Sequence, residues 1–156
     1  LLSAWRGTGK TLFGLSMAVA VASGGVFLGW QAPKTRRVLY VDGEMCVEDV
    51  KEYMAAVAGA IGREWDENLL QIITPDLQVD GFASIQTRAG QEMIEDHLGG
   101  TELLVCDNLI SLADARAESD PEIFDNIKTW QLKLRRDGIA NVLMHHVGKG
   151  WQPAWP

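Results

Sequence analysis

Gly7, Thr8, Gly9, Lys10 and Thr11 follow one another near the start of the chain, an order suited to cradling a phosphate. Small residues let backbone N–H groups curl around the anion, and a helix opening at Lys10 adds its partial positive end. Lys10 would reach the β- and γ-oxygens of a nucleotide as a point charge, and the Thr11 hydroxyl would ligate Mg²⁺. The pattern G-x-x-x-x-G-K-[ST] falls on Ala4 to Thr11 and departs at its first position, where alanine stands for glycine beside a bulky Trp5. Alanine fits there unless the backbone demands a positive φ. The expected nucleotide contacts are Arg6, Gly7, Thr8, Gly9, Lys10 and Thr11.

Further chemistry sits at the ends of apolar runs. Asp107 closes Leu103-Leu104-Val105-Cys106, the place from which a carboxylate orders Mg²⁺ through water. Asn108 and Leu109 come next, so the carboxylate that polarises an attacking water must lie elsewhere. Glu44, just beyond Val38-Leu39-Tyr40-Val41-Asp42, is the best candidate; Asp42 competes with it but is better suited to holding the loop. His145 and His146 follow Asn141-Val142-Leu143-Met144, and either would donate a hydrogen bond to a γ-phosphate or to the water. His145 is taken as the catalytic one and His146 as a sensor. Lys149, between Gly148 and Gly150, would touch the γ-phosphate, a neighbouring subunit or nucleic acid, or else be solvated. With only Cys46 and Cys106, and no third ligand at metal spacing beside the histidines, a zinc site is not expected.

The elements that must position these groups are legible as a pattern. The three runs above are apolar at successive positions, as in strands buried on both faces of a parallel sheet. Leu69 to Ile73 is a fourth candidate strand, and Leu1 to Ala4 the end of a fifth. Between them, Lys10 to Ser23 is apolar nearly all round and stops at Gly24-Gly25. Val50, Met54, Val57 and Ile61 mark a second helix, and Gln91 to Leu98 a shorter one. Asp120, Pro121 and Glu122 open another helix, with Ile123, Ile127, Trp130 and Leu134 as its stripe and Gly138 after its end. Strands alternating with helices predict a three-layer α/β domain with a mainly parallel central sheet.

The 156 residues are 47 % hydrophobic and 22 % charged, with 21 acidic and 14 basic side chains and a net charge of −7. That composition excludes disorder, and the charge excludes a surface that is basic throughout, so any DNA contact must be local. The longest apolar stretch, around Ala18 to Ala22, is broken by Ser16, Ser23, Gly24 and Gly25, which is too short for a membrane span. Residues 1–150 are expected to be a cytoplasmic nucleotide-binding core, cut at both ends. Residues 151–156, Trp-Gln-Pro-Ala-Trp-Pro, form an atypical tail.

Four segments carry a resemblance: Arg6–Thr11, Val38–Met45 with its Asp-Gly-Glu-Met end, Leu104–Leu109, and His145–Gly150 with its His-His-x-Gly-Lys start. In this order they resemble the RecA-like P-loop AAA-family ATPases, within them the RepA-like hexameric helicase group, a neighbour of DnaB and KaiC. The resemblance implies that Glu44 is the catalytic base. It also implies a sheet ordered Leu69–Ile73, Val38–Asp42, Leu103–Asp107, Asn141–His145, Leu1–Ala4. It implies ATP bound with Mg²⁺ between subunits of a hexameric ring, an arginine from the neighbour completing each site. Similar proteins continue past the Gly-Lys segment into an Arg-Gly-Ser/Thr loop, which this tail does not reproduce. The expected function is ATP hydrolysis by a ring-forming motor on single-stranded DNA. A nucleotide-dependent switch with little turnover and a small-molecule P-loop kinase are the alternatives, the kinase the weaker because no lid-like arginine cluster supports it.

Overall fold

The computed structural model describes residues 1–62, 66–78, 81–113 and 121–146. In chain order the elements are β1 (Leu2–Ala4), α1 (Lys10–Ser23), β2 (Val26–Phe27), β3 (Trp30–Gln31), β4 (Val38–Asp42), α2 (Val47–Ile61), β5 (Leu70–Ile73), α3 (Arg88–Glu95), β6 (Leu103–Asp107), α4 (Leu109–Leu112), α5 (Pro121–Arg136) and β7 (Ala140–His146). Five strands pair in the order β1-β7-β6-β4-β5, and every neighbouring pair is parallel. This is the order the resemblance implied. The two central strands, β4 and β6, are buried at all five positions, which is why their runs do not alternate.

Burial on both sides requires a helical layer on each face. One core holds Leu15, Val19, Val38, Tyr40, Met54, Val105 and Met144, under α1 and α2. The other holds Leu39, Val41, Ile94, Leu104, Cys106, Leu112, Ile127, Trp130 and Leu143, under α3, α4 and α5. Side chains alternate between the two cores along each strand. The result is a RecA-like P-loop NTPase architecture of three layers, and it delivers Ala4, Asp42, Asp107 and His146 to one edge of the sheet.

Several details differ from expectation, among them the short helix α4, which no sequence pattern marked, and the end of α3 at Glu95 and not Leu98. A two-stranded antiparallel hairpin, β2–β3, follows α1 and is fastened to it by an edge-to-face contact of Phe27 with Phe13 at 4.8 Å. The short helix α3 starts at Arg88 and not Gln91, because Thr87 caps it by accepting from Gly90 N. The last strand runs on through His145 and His146, which pair with Ser3 and Ala4 of β1. Asp120, the expected cap of α5, lies outside the described residues, as do Lys149 and the 151–156 tail. Among the described residues no helix is long and apolar enough to cross a membrane.

Gly90 is where α3 meets its preceding loop most closely. A Cβ there would stand 2.1 Å from the Ser84 carbonyl oxygen and 2.5 Å from that of Ala83. Backbone cannot swing aside as a side-chain tip can, so Gly90→Ala is expected to cost about 2–3 kcal/mol. Thermal unfolding should show a Tm lower by several degrees; an unchanged Tm would mean that α3 shifts freely.

Candidate functional site

The loop between β1 and α1 takes its shape from two glycines. Gly7 (φ 78°) and Gly9 (φ 85°) both occupy the left-handed region, where a side chain would be strained. Leu28 is the one non-glycine with a positive φ among the described residues, so Ala4, the last residue of β1, sits in ordinary backbone. The missing first glycine therefore distorts nothing. Gly9 is the N-cap of α1 and no side chain caps that helix, which leaves its first N–H groups to an anion at the loop mouth.

Lys10 is 6 % exposed, and its Nζ donates to the carbonyls of Ala4 (2.8 Å) and Trp5 (2.7 Å). Thr8 Oγ1 also donates to Trp5 O, at 2.8 Å. An ammonium has three donors, so one remains for a phosphate oxygen while the other two brace the loop. Burial lowers the Lys10 pKa, and the charges of Asp107 and Glu44 oppose that fall. Those two carboxylates are thus the electrostatic neighbours of the lysine, although they come from different strands.

The Asp-Gly-Glu-Met segment has a local logic. Asp42 Oδ2 accepts from the backbone N–H groups of Glu44 (3.1 Å) and Met45 (2.6 Å), closing a turn. A Cβ on Gly43 would lie 2.9 Å from Ser111 Cβ and 3.0 Å from Leu112 side-chain atoms of α4, so only glycine allows this approach. Gly43 N donates to Asp107 O at 2.8 Å, tying the turn to the end of β6. Glu44 then emerges half-exposed. Burial pushes its pKa up, but the Asn108 and Ser111 side chains, then the charges of Arg6 and His146, outweigh this and hold it below the usual glutamate value. A carboxylate of that kind stays ionised at neutral pH.

Asp107 is 3 % exposed, and its Oδ2 accepts from the Tyr40 hydroxyl at 2.8 Å. Asn108 caps α4 through Oδ1, which accepts from Ile110 N and Ser111 N, and its Nδ2 lies 3.0 Å from His146 Nε2. With Asn108 as donor, His146 carries its proton on Nδ1. Burial, then the Lys10 charge, lowers the His146 pKa, so the ring is neutral at neutral pH. Its Nε2 is 3.9 Å from Glu44 Oε1. Arg6 reaches the same oxygen at 3.4 Å, with side chains 80 % and 37 % exposed, an ion pair worth on the order of 0–1 kcal/mol.

Arg6, Lys10, Glu44, Asp107 and His146 are therefore brought together, with Thr11 in the first turn of α1. His145 is not among them: one residue before His146, it falls on the opposite face of β7, with Leu143. Tyr40 and Asn108 are the neighbours that sequence reasoning did not place in the site. A tyrosine inside a wholly buried run was the available signal, because its hydroxyl requires a partner.

The residue types fit a hard cation: a hydroxyl at Thr11, in the first turn of α1, and a carboxylate at Asp107, at the end of β6, are oxygen ligands of the kind that Mg²⁺ takes. A family model described as an AAA domain matches residues 1–152. The chain belongs to the AAA domain family. No curated protein matches it. Membership makes this AAA domain a nucleotide-binding ATPase domain in general terms, in agreement with the glycine-shaped loop and its buried lysine.

Asp42 gives the site a pH signature. Burial pushes its carboxyl up to about 6, against the two backbone N–H groups that favour its charge, and Asp107 and Glu44 add to the rise. The unfolded value is about 3.9, so between roughly pH 4 and 6 the native state holds a proton that the unfolded chain has released. Stability from this group is full below about pH 4 and is lost as pH rises through about 6, by up to about 3 kcal/mol. Asp42→Asn keeps an acceptor for the turn and is expected to flatten the dependence of Tm on pH across that window. An unaltered slope would show that Asp42 titrates as an ordinary carboxylate.

Proposed function

We propose that this AAA domain binds ATP with Mg²⁺ and hydrolyses it, as the motor core of a hexameric, ring-forming replicative helicase acting on single-stranded DNA. The observation that carries the ATPase part is the meeting of Lys10, Asp107 and Glu44, from three separate segments, at the mouth of the phosphate loop. Lys10 and the first N–H groups of α1 would hold the β- and γ-phosphates. Thr11 and Asp107 would hold Mg²⁺, which when bound would supply positive charge against the phosphate oxygens. Glu44, ionised and beside the loop, accepts a proton from the water that attacks the γ-phosphorus as ADP departs. His146, fixed by Asn108 and within 4 Å of Glu44, would follow the state of that carboxylate, and in the sequence it stands three positions before Lys149.

The helicase part is supported by the Asp-Gly-Glu-Met and His-His-x-Gly-Lys segments; a charge of −7 is compatible with it when DNA contacts are confined to a few loops. A switch with little turnover is the second reading, favoured by the Arg6 contact to the Glu44 carboxylate. Phosphate release by the full-length protein, with and without single-stranded DNA, separates them. Stimulation by DNA is expected. Binding without turnover would instead support the switch, and phosphorylation of an added acceptor the kinase.

A further inference from the structure

Tyr40 has no role in the chemistry above, yet three parts of the site meet on it. It is wholly buried in the middle of β4, on the face shared with Val38 and Met144. Its hydroxyl donates to Asp107 Oδ2 at 2.8 Å across the β4–β6 pair. Its ring lies against α1 at Gly14, where a Cβ would stand 3.3 Å from Tyr40 Cε2 and 1.9 Å from Met144 Cε. The helix that begins with Lys10 and Thr11 therefore has a notch at Gly14 that accommodates the ring. Burial, reinforced by the charge and hydrogen bond of Asp107, raises the phenol pKa, so the hydroxyl keeps its proton and acts as a donor towards the carboxylate.

We propose that Tyr40 is a positioning residue for Asp107, holding Oδ2 so that Oδ1 is the oxygen offered to the cation side of the site. A lone carboxylate at a strand end rotates about χ2, and both oxygens then compete for the same cation or its waters. A donor of fixed direction removes that freedom before the cation arrives, the pre-organisation that outer ligands supply to metal sites. It also ties β4, which leads into the turn bearing Glu44, to β6, which ends in Asp107, by a side-chain bond as well as by the backbone ladder. The inference rests on the assignment of Asp107 to a Mg²⁺ site.

The test is Mn²⁺ titration of the full-length protein with ADP, free Mn²⁺ being read by electron paramagnetic resonance. Tyr40→Phe removes one oxygen and is expected to weaken Mn²⁺ binding about tenfold, with ADP affinity in EDTA essentially unchanged. Asp107→Asn should weaken it more, and adding Tyr40→Phe to that variant should change nothing further, since one residue acts through the other. Unaltered Mn²⁺ affinity in Tyr40→Phe, with only Tm lowered, would overturn the inference and leave a structural tyrosine. Full additivity of the two substitutions would overturn it as well. Wild-type protein that binds ADP but no Mn²⁺ would instead reject the metal site itself. A second measurement needs no variant: with [¹³Cζ]tyrosine, the Tyr40 resonance should move as Mg²⁺ saturates the ADP complex. A resonance that stays in place while other site signals move would contradict the proposal.

Discussion

Replacing Lys10 with alanine is expected to weaken ATP binding by roughly 10²–10³-fold, because charge-assisted hydrogen bonds are worth about 1.5–3 kcal/mol each and the lysine also braces the loop. The side chain is almost wholly buried and spends two of its donors on Ala4 O and Trp5 O. Its removal therefore takes away both the ammonium proposed to meet phosphate and its two bonds to the loop backbone. The fold should survive, since burying that ammonium carries a desolvation cost, visible in its lowered pKa, which alanine does not incur. Lys10→Arg should not restore binding, because a planar guanidinium cannot occupy the space of a compact ammonium between two carbonyls. Fluorescent ATP-analogue titration measures this directly. Tight binding by the alanine variant would place the nucleotide elsewhere.

Glu44→Gln is the sharper substitution. The amide keeps size and shape and discards the charge, so phosphate release is expected to fall by roughly 10²–10⁴-fold while ATP affinity changes by less than about threefold. The contrast with Asp42 gives the prediction its force. Asp42 already accepts two backbone N–H bonds and is 1 % exposed, so it is occupied in holding the turn that presents Glu44. Asp42→Asn should lower turnover far less than Glu44→Gln. The reverse ranking would exchange the roles of the two carboxylates. Quenched-flow measurement of phosphate release at saturating MgATP distinguishes loss of the chemical step from loss of binding.

Much of the frame was legible because its strongest signals are local. The β4 and β6 runs are apolar at every position for a physical reason, burial on both faces, and α1 begins and ends where Gly9 and Gly24 say it should. The sheet order is a different matter. It joins β1 to β7 across almost the whole chain, and no local pattern contains that; it came from resemblance. The hairpin β2–β3 escaped notice because two-residue strands have no periodicity, and Gly24-Gly25 reads as a stop. The end of β7 was hidden because His145 and His146 are polar and are strand residues only by virtue of pairing with Ser3 and Ala4.

In the candidate site, residue types and their places beside strand ends nominated Lys10, Asp107 and Glu44, and the fold makes the two carboxylates electrostatic neighbours of the lysine. What could not be read was the partner of each. Tyr40 and Asp107 are separated by 67 positions and Asn108 and His146 by 38, and contacts of that span follow from topology. Strand parity would have separated the two histidines had the strand been extended by two residues: Met144 faces the α1 side, so His146 does too and His145 does not.

The loop at Lys10, with Asp107 and Glu44, is proposed as an ATP-hydrolysing site. Single-turnover release of phosphate from ATP by the full-length wild-type protein, in Mg²⁺ and in EDTA, tests it most directly. Release is expected in Mg²⁺, and EDTA should abolish it while ATP remains bound. Equal release in both conditions, or no release from protein saturated with MgATP, would contradict it.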